Sequence, residues 1–231
     1  RKAQQAALVA RPFLQLMYRI QRKAATRAID FTHPLMQKRP VTKRAIVLVS
    51  SDKGLCGALN SNLFRLVGRF DPHSTVFITA GRKGAQFVAR TRRQLIADFP
   101  YGDSPRFSEA RAVATLCRDL FLNGEVDQVQ IVTSRFVNTL TQHTIAVEIL
   151  PIGEITGIKV PGAEPEQALA ADTTEFLFEP SAHAVLDYLT LHYLEIVMYL
   201  AMLNAKASEQ SARMVSMKSA TDNAESMIKD L

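Results

Sequence analysis

The chain is short of cysteine, of grouped histidine and of long apolar runs, and each shortage removes a class of function. Its two cysteines, Cys56 and Cys117, fall in different expected elements, and no CxxC occurs. That fits two reduced thiols in a reducing compartment rather than a disulfide framework. The five histidines, His33, His73, His143, His183 and His192, form no HxxxH pair and no cluster with carboxylates, so no metal site is expected. None lies near Cys56 in sequence to serve as its base, which leaves thiol catalysis there unsupported. The paired carboxylates Glu164 and Glu166 fall in a loop-like stretch. No run reaches the roughly 18 apolar residues that span a bilayer. The longest candidate, Leu186 to Leu203, is interrupted by Asp187, His192 and Glu195. The N-terminal stretch is basic and lacks the apolar core of a secretory signal.

What is present is ordinary in bulk and uneven in placement. The 231 residues are 47% hydrophobic and 22% charged, which suits a globular core with an appendage. Net charge is +6, and residues 1–44 carry eleven Lys or Arg against one acid, Asp30. Such a face is either simply solvated or meets an acidic protein, anionic lipid or nucleic acid. Nucleic acid is the least supported, because few aromatics, Phe13 and Tyr18 among them, interleave the charges and no binding motif occurs.

Both ends read as long helices. Ala3, Ala7, Ala10, Leu14, Met17, Gln21, Ala24 and Ala28 recur in alternating steps of four and three. Leu203, Ala207, Gln210, Met214, Met217, Thr221, Ala224, Ile228 and Leu231 do the same. Two heptad seams at opposite ends of a chain predict an antiparallel coiled coil, with a bend expected at Pro12. Rich in Ala, Gln and Thr, the seams bury little area and need an attached domain or a sleeve to hold them. From Ser181 to Leu231 there is no Pro or Gly, so one helix of roughly 75 Å is predicted, and it must project beyond any domain of this size.

Between the ends, strands and helices alternate. Strands are predicted at Ala45 to Val49, Thr75 to Thr79, Gln94 to Phe99, Val126 to Thr133 and Thr144 to Leu150. Helices are predicted at Ala58 to Phe70, from Gly84 to about Arg93, and from an N-cap at Ser108 to Leu122. This rhythm argues for an α/β fold with a Rossmann-like, mostly parallel sheet carrying helices on both faces. The expected domains are residues 1–33 as a coiled-coil helix, 43–175 as the α/β domain, and 181–231 as the helix pairing with 1–33. Pro151, Gly153, Gly157, Pro161, Gly162 and Pro165 mark an irregular loop before the last helix.

The first strand runs into a glycine turn, Lys53-Gly54-Leu55-Cys56-Gly57. A glycine turn before a helix can cradle phosphate, so an α/β nucleotide- or phosphate-binding protein using Gly54 to Gly57 is the alternative function. The order is wrong for a P-loop, however, since the Lys precedes both glycines and no Lys-Ser or Lys-Thr follows. Asp52 would also place a negative charge at the phosphate position. On the last helix, Glu209, Arg213 and Lys218 share part of one surface, with Glu209 and Arg213 at ion-pair spacing.

Six segments together resemble the gamma subunit of F-type ATP synthases. They are Ala10-Arg11-Pro12-Phe13, Ser51 to Asn60, Gly81-Arg82-Lys83-Gly84, Arg135-Phe136-Val137-Asn138-Thr139, Phe178-Glu179-Pro180 and Ser208 to Asn223. The resemblance implies a Rossmann-like domain cradled against two long helices at the centre of a hexamer of alpha and beta subunits. It implies a non-catalytic rotor that couples ion-driven ring rotation to states of the catalytic sites, with no cofactor of its own. Glu209, Arg213, Met214 and Lys218 would make rotor–stator contact. Phe176, Phe178 and Glu179 would form a foot facing the membrane c-ring and the epsilon subunit. Lys53, Gly54, Cys56 and Gly57 would form a structural turn. The basic first helix would face acidic lever regions of beta. The location implied is a peripheral membrane complex at the cytoplasmic face of the bacterial inner membrane, or the matrix or stroma side of an organelle. Against the family, the chain is expected to begin inside the first helix and to stop short of the usual end.

Overall fold

The computed structural model describes Ile20, Lys23, Ala24, residues 26–28, residues 30–153 and residues 177–230. Five strands form one sheet: β1 (Arg44–Val49), β2 (Thr75–Ala80), β3 (Gln94–Phe99), β4 (Gln128–Phe136) and β5 (Gln142–Leu150). Their spatial order is β3-β2-β1-β4-β5. Three neighbouring pairs are parallel, and β4 with β5 is antiparallel, so the mostly parallel Rossmann-like sheet expected from the sequence is what forms. The antiparallel pair closes through a hairpin in which Asn138 Oδ1 accepts the N–H groups of Leu140 at 2.9 Å and Thr141 at 2.8 Å.

Central β1 is apolar at every position from Ala45 to Val49 because both its faces are covered. Alternate residues serve opposite cores. Ala45, Val47 and Val49 join Val76, Ile78 and Ala80 under helix α3 (Phe107–Leu122) and the long helix α4 (Ala182–Lys229). Ile46, Leu48, Phe77 and Val132 pack instead under α1 (Leu59–Val67) and α2 (Arg82–Arg90) through Leu63, Val67 and Val88. Helix α3 starts earlier than its sequence suggested. Arg106, not Ser108, is the N-cap, and the Glu109 carboxylate accepts the Arg106 N–H at 2.7 Å. The cap is therefore carried by the third helical residue reaching back.

The joint before β1 is set by Asp127. Its Oδ2 accepts the Thr42 N–H at 2.9 Å, the Thr42 hydroxyl at 2.7 Å and the Lys43 N–H at 3.0 Å. The Thr42 hydroxyl above all, then these N–H groups, hold the carboxyl below its ordinary value of 3.8. A depressed folded value means the stabilisation is present above that ordinary value and is lost as pH falls through the folded one. Asp127→Asn is expected to flatten the acid limb of a urea-midpoint curve below about pH 4. An acid limb identical to wild type would show that these bonds do not report on folding.

Helix α4 is a single element of 48 residues, starting at an N-cap Ser181 whose hydroxyl accepts the Ala184 N–H at 3.2 Å. By length and composition it could cross a bilayer, since one 18-residue window has a mean hydropathy of 1.3. Yet 56% of that window is buried inside the protein, where Leu194, Val197, Met198, Ala201, Met202 and Ala205 face the sheet. From Met214 to Asp230 the helix is almost entirely exposed, so it projects as its length required.

The described part of the first helix runs antiparallel to α4. Ile20 packs near Leu189, Ile196 and Leu200, and Ala24 and Ala28 pack on Leu186 and Ala182. These contacts lie upstream of the heptad seam that begins at Leu203. The rest of the N-terminal seam, the bend at Pro12, the loop beyond Gly153 and Phe176 lie outside the described residues.

Candidate functional site

The glycine turn after β1 folds around a buried thiol. Ser51 Oγ donates to the Lys53 carbonyl at 2.8 Å, and Asn60 Nδ2 donates to Ser51 Oγ at 2.7 Å and to Cys56 Sγ at 3.3 Å. Gly57 sits at φ +56°, the left-handed region that favours glycine. Gly54 is different: a Cβ there would meet nothing within 4 Å. Cys117, on the buried face of α3, has its thiol pushed up to about 12 by burial.

The second turn locks onto the first. Three N–H groups at the start of α2 are taken by the first turn: Arg82 donates to Asp52 Oδ1 at 2.9 Å, Lys83 to the Ser51 carbonyl at 3.0 Å, and Gly84 to Ser50 Oγ at 2.7 Å. A helix start binds phosphate through such free donors. Here Asp52 stands where a phosphate would, so the start of α2 offers no anion site. The adjoining cleft of about 210 Å³ is lined by Asp52, Lys53, Arg82, Asp98 and Pro100, with two carboxylates against two cations.

The long helix crosses this double turn at Lys206 to Arg213. Lys206 Nζ lies 2.8 Å from Glu209 Oε2, 3.4 Å from Asp103 Oδ1 and 5.0 Å from the centre of the Tyr101 ring. The Lys206 side chain is 0% exposed and that of Glu209 2%. Glu209 Oε1 accepts Arg213 Nη2 at 2.7 Å. Arg213 in turn donates to the Gly54 carbonyl at 3.3 Å and to that of Lys53 at 3.5 Å. Tyr101 donates its hydroxyl to the Ser50 carbonyl at 3.0 Å. Burial first, then the negative charge of Glu209, raises the Tyr101 phenol well above its ordinary value, so it remains a donor. Ser208 Oγ adds a bond to the Ser134 carbonyl of β4 at 3.3 Å.

The described residues thus combine a Rossmann-like strand order, two interlocked glycine turns and a helix that projects beyond the domain. The family model described as ATP synthase matches residues 1–231. A curated relative, the ATP synthase gamma chain of Opitutus terrae, is 39% identical, with 100% of this chain and 80% of that protein covered. The ATP synthase gamma chain of Desulfitobacterium hafniense is 34% identical over 100% of this chain and 79% of its own length.

The chain belongs to the ATP synthase gamma chain family.

Among solved structures, the fold matches a chain of the Tetrahymena thermophila mitochondrial ATP synthase central stalk and c-ring with a TM-score of 0.60 at 22% identity. That match covers 96% of this chain and 100% of the other. A rotor chain of the Euglena gracilis mitochondrial ATP synthase gives 0.60 at 14% identity, with 99% and 90% covered.

As a gamma-family chain it distributes its anticipated site residues unevenly. Met214 is 58% exposed and Lys218 is exposed, both on the free part of α4. Glu209 is not a surface contact: it is buried and spent on Lys206 and Arg213. Arg213 turns toward the glycine turn of its own chain. Lys53 and Gly54 serve that turn through their carbonyls, and Cys56 lies inside it at 3% exposure. Phe178 faces inward beside Ala24, Ala28 and Leu186, under the Arg27 guanidinium, while Glu179 and Leu177, the latter 84% exposed, face outward. Lys206, Tyr101 and Asp103 were not anticipated. Lys206 gives one sequence signal, a lone cation after the apolar run Met198 to Leu203 and three residues from an acid.

Proposed function

We propose that this member of the ATP synthase gamma chain family works as the turning central stalk of an F-type ATP synthase, linking rotation of a membrane ring to the states of catalytic alpha and beta subunits. One observation carries the reading beyond family membership. Helix α4 is continuous through 48 residues, held by the domain up to Arg213 and exposed beyond it. That is the form of a domain with a drive shaft. The chain forms and breaks no bonds. An off-centre shaft presents a different side to each catalytic subunit and so favours a different state in each. The coupling is reciprocal, so nucleotide turnover drives the shaft and a driven shaft shifts nucleotide affinity.

Met214 and Lys218 are the residues placed to meet the hexamer, with Glu209 and Arg213 acting from inside the chain. Leu177 and Glu179 are placed to meet the c-ring or the epsilon subunit. The complex is membrane-associated, and in a bacterium the stalk stands on the cytoplasmic face of the inner membrane. The test is co-assembly with cognate alpha and beta subunits followed by native mass spectrometry. One copy of this chain per three alpha–beta pairs is the expected mass. A folded chain that leaves the hexamer without it would overturn the reading.

A further inference from the structure

Beyond Arg213 the long helix has lost the domain, so any turning moment passing between shaft and domain must cross just upstream. Much of that contact is smooth. Ala201, Ala205, Ala207 and Ser208 are small buried residues, and small side chains interlock little against sliding or rolling. The polar contacts have the opposite property, because hydrogen bonds weaken steeply with distance and angle.

These contacts close a ring. From the Ser50 carbonyl it passes through the Tyr101 hydroxyl and ring to Lys206, then to Glu209, to Arg213, and back to the Lys53 and Gly54 carbonyls of the same turn. Asp103, on the loop between β3 and α3, braces it from the solvent side with a side chain 70% exposed. Ions this deeply buried contribute little net stability compared with an apolar replacement, and in some proteins they are kept because they fix one arrangement. That is the property needed to hold a rod at one rotational setting.

We infer that Lys206 is a positioning residue, and that its contacts across to Asp103 and the Tyr101 ring, with the ammonium held in place by Glu209 of its own helix, are the torsional lock through which the α/β domain and the shaft helix exchange torque. The inference rests on the central-stalk reading. With the lock intact, the helix cannot roll about its axis without breaking contacts to the Tyr101–Asp103 loop and to the glycine turn together. With it removed, the helix can roll a little under load, and nucleotide turnover proceeds without its full yield of ring rotation.

The experiment uses the whole membrane complex, reconstituted in vesicles with each variant of this chain. ATP hydrolysis and ATP-driven ion uptake are measured together, and their ratio is the readout. The double variant Lys206→Met/Glu209→Leu keeps the site apolar and filled. It is expected to assemble and hydrolyse ATP near the wild-type rate while ions moved per ATP fall about fivefold, the low end of ordinary coupling energies. Asp103→Asn, an exposed change that leaves folding alone, lowers the ratio less, and Lys206→Arg restores it. A double variant that assembles and pumps as many ions per ATP as wild type overturns the lock and leaves the stalk reading standing. If that variant does not assemble, Asp103→Asn decides alone, and an unchanged ratio there overturns the lock. A wild-type chain that never enters the complex overturns the stalk reading itself.

Discussion

Glu209→Leu should cost the chain about 3–5 kcal/mol of folding stability, more than any other single change in the lock. The reason is what it leaves behind. Lys206 is 0% exposed, and without Glu209 its ammonium keeps only Asp103 at 3.4 Å and the face of Tyr101. Arg213 loses its 2.7 Å partner in the same stroke. Lys206→Met is milder, since Glu209 still has Arg213 and the Met side chain fills the vacated space. Combining the two removes the stranded cation, so most of the loss should be recovered. Thermal melts by circular dichroism read this directly. For a chain of this size the single change corresponds to a fall of roughly 10 °C in Tm. If the double variant melts no higher than Glu209→Leu alone, the stranded charge is not the cause.

Gly81→Ala should be comparably harmful and for a purely steric reason. Gly81 stands at φ +104°, and a Cβ there would lie 2.2 Å from the Ser50 carbonyl oxygen and 2.8 Å from its carbon. Both obstacles are backbone, so no side-chain rotation relieves them. Relief requires pulling the second turn off the first, which stretches the Ser50 Oγ bond to the Gly84 N–H. A loss of about 3 kcal/mol or more follows from strain of this kind together with the lost bond. Gly54→Ala is the control, because its Cβ would meet nothing within 4 Å, and a change within about 0.5 kcal/mol is expected. Equal urea midpoints for the two variants would show that the close approach is not a constraint.

These two cases also mark where the sequence was readable. Strands β1 to β5 announced themselves as short apolar or alternating runs, and α4 was visible because nothing between Ser181 and its end could break a helix. Those features are local, so local reading finds them. Gly54 and Gly81 both read as turn glycines, but only a neighbouring backbone distant in sequence makes one of them indispensable. The misplaced cap of α3 has the same origin in miniature: Ser108 has the better N-cap side chain, yet Glu109 decides the cap by bonding backward to Arg106.

The lock was the least legible part. Helical periodicity assumes one buried face and one wet face. Residues 205–209, Ala205 through Glu209, are all buried, because the domain and its loops surround the helix there. A stretch buried on every side has no periodic signature, so spacing alone set Glu209 on the surface with Lys218. The partners Tyr101 and Asp103 lie about a hundred residues away in sequence, and no spacing rule reaches that far.

The sixteen residues from Met214 to Lys229 form a helix with no proline or glycine and few contacts to the domain. Held by the domain and loaded along its length, such a rod behaves as a torsion spring. Twist is shared across every peptide along the free length, so no single hydrogen bond takes the strain. Work delivered in abrupt chemical steps can thus be held briefly as elastic deformation and released smoothly. The free length sets the softness of that spring, and each turn of helix added or removed would retune it.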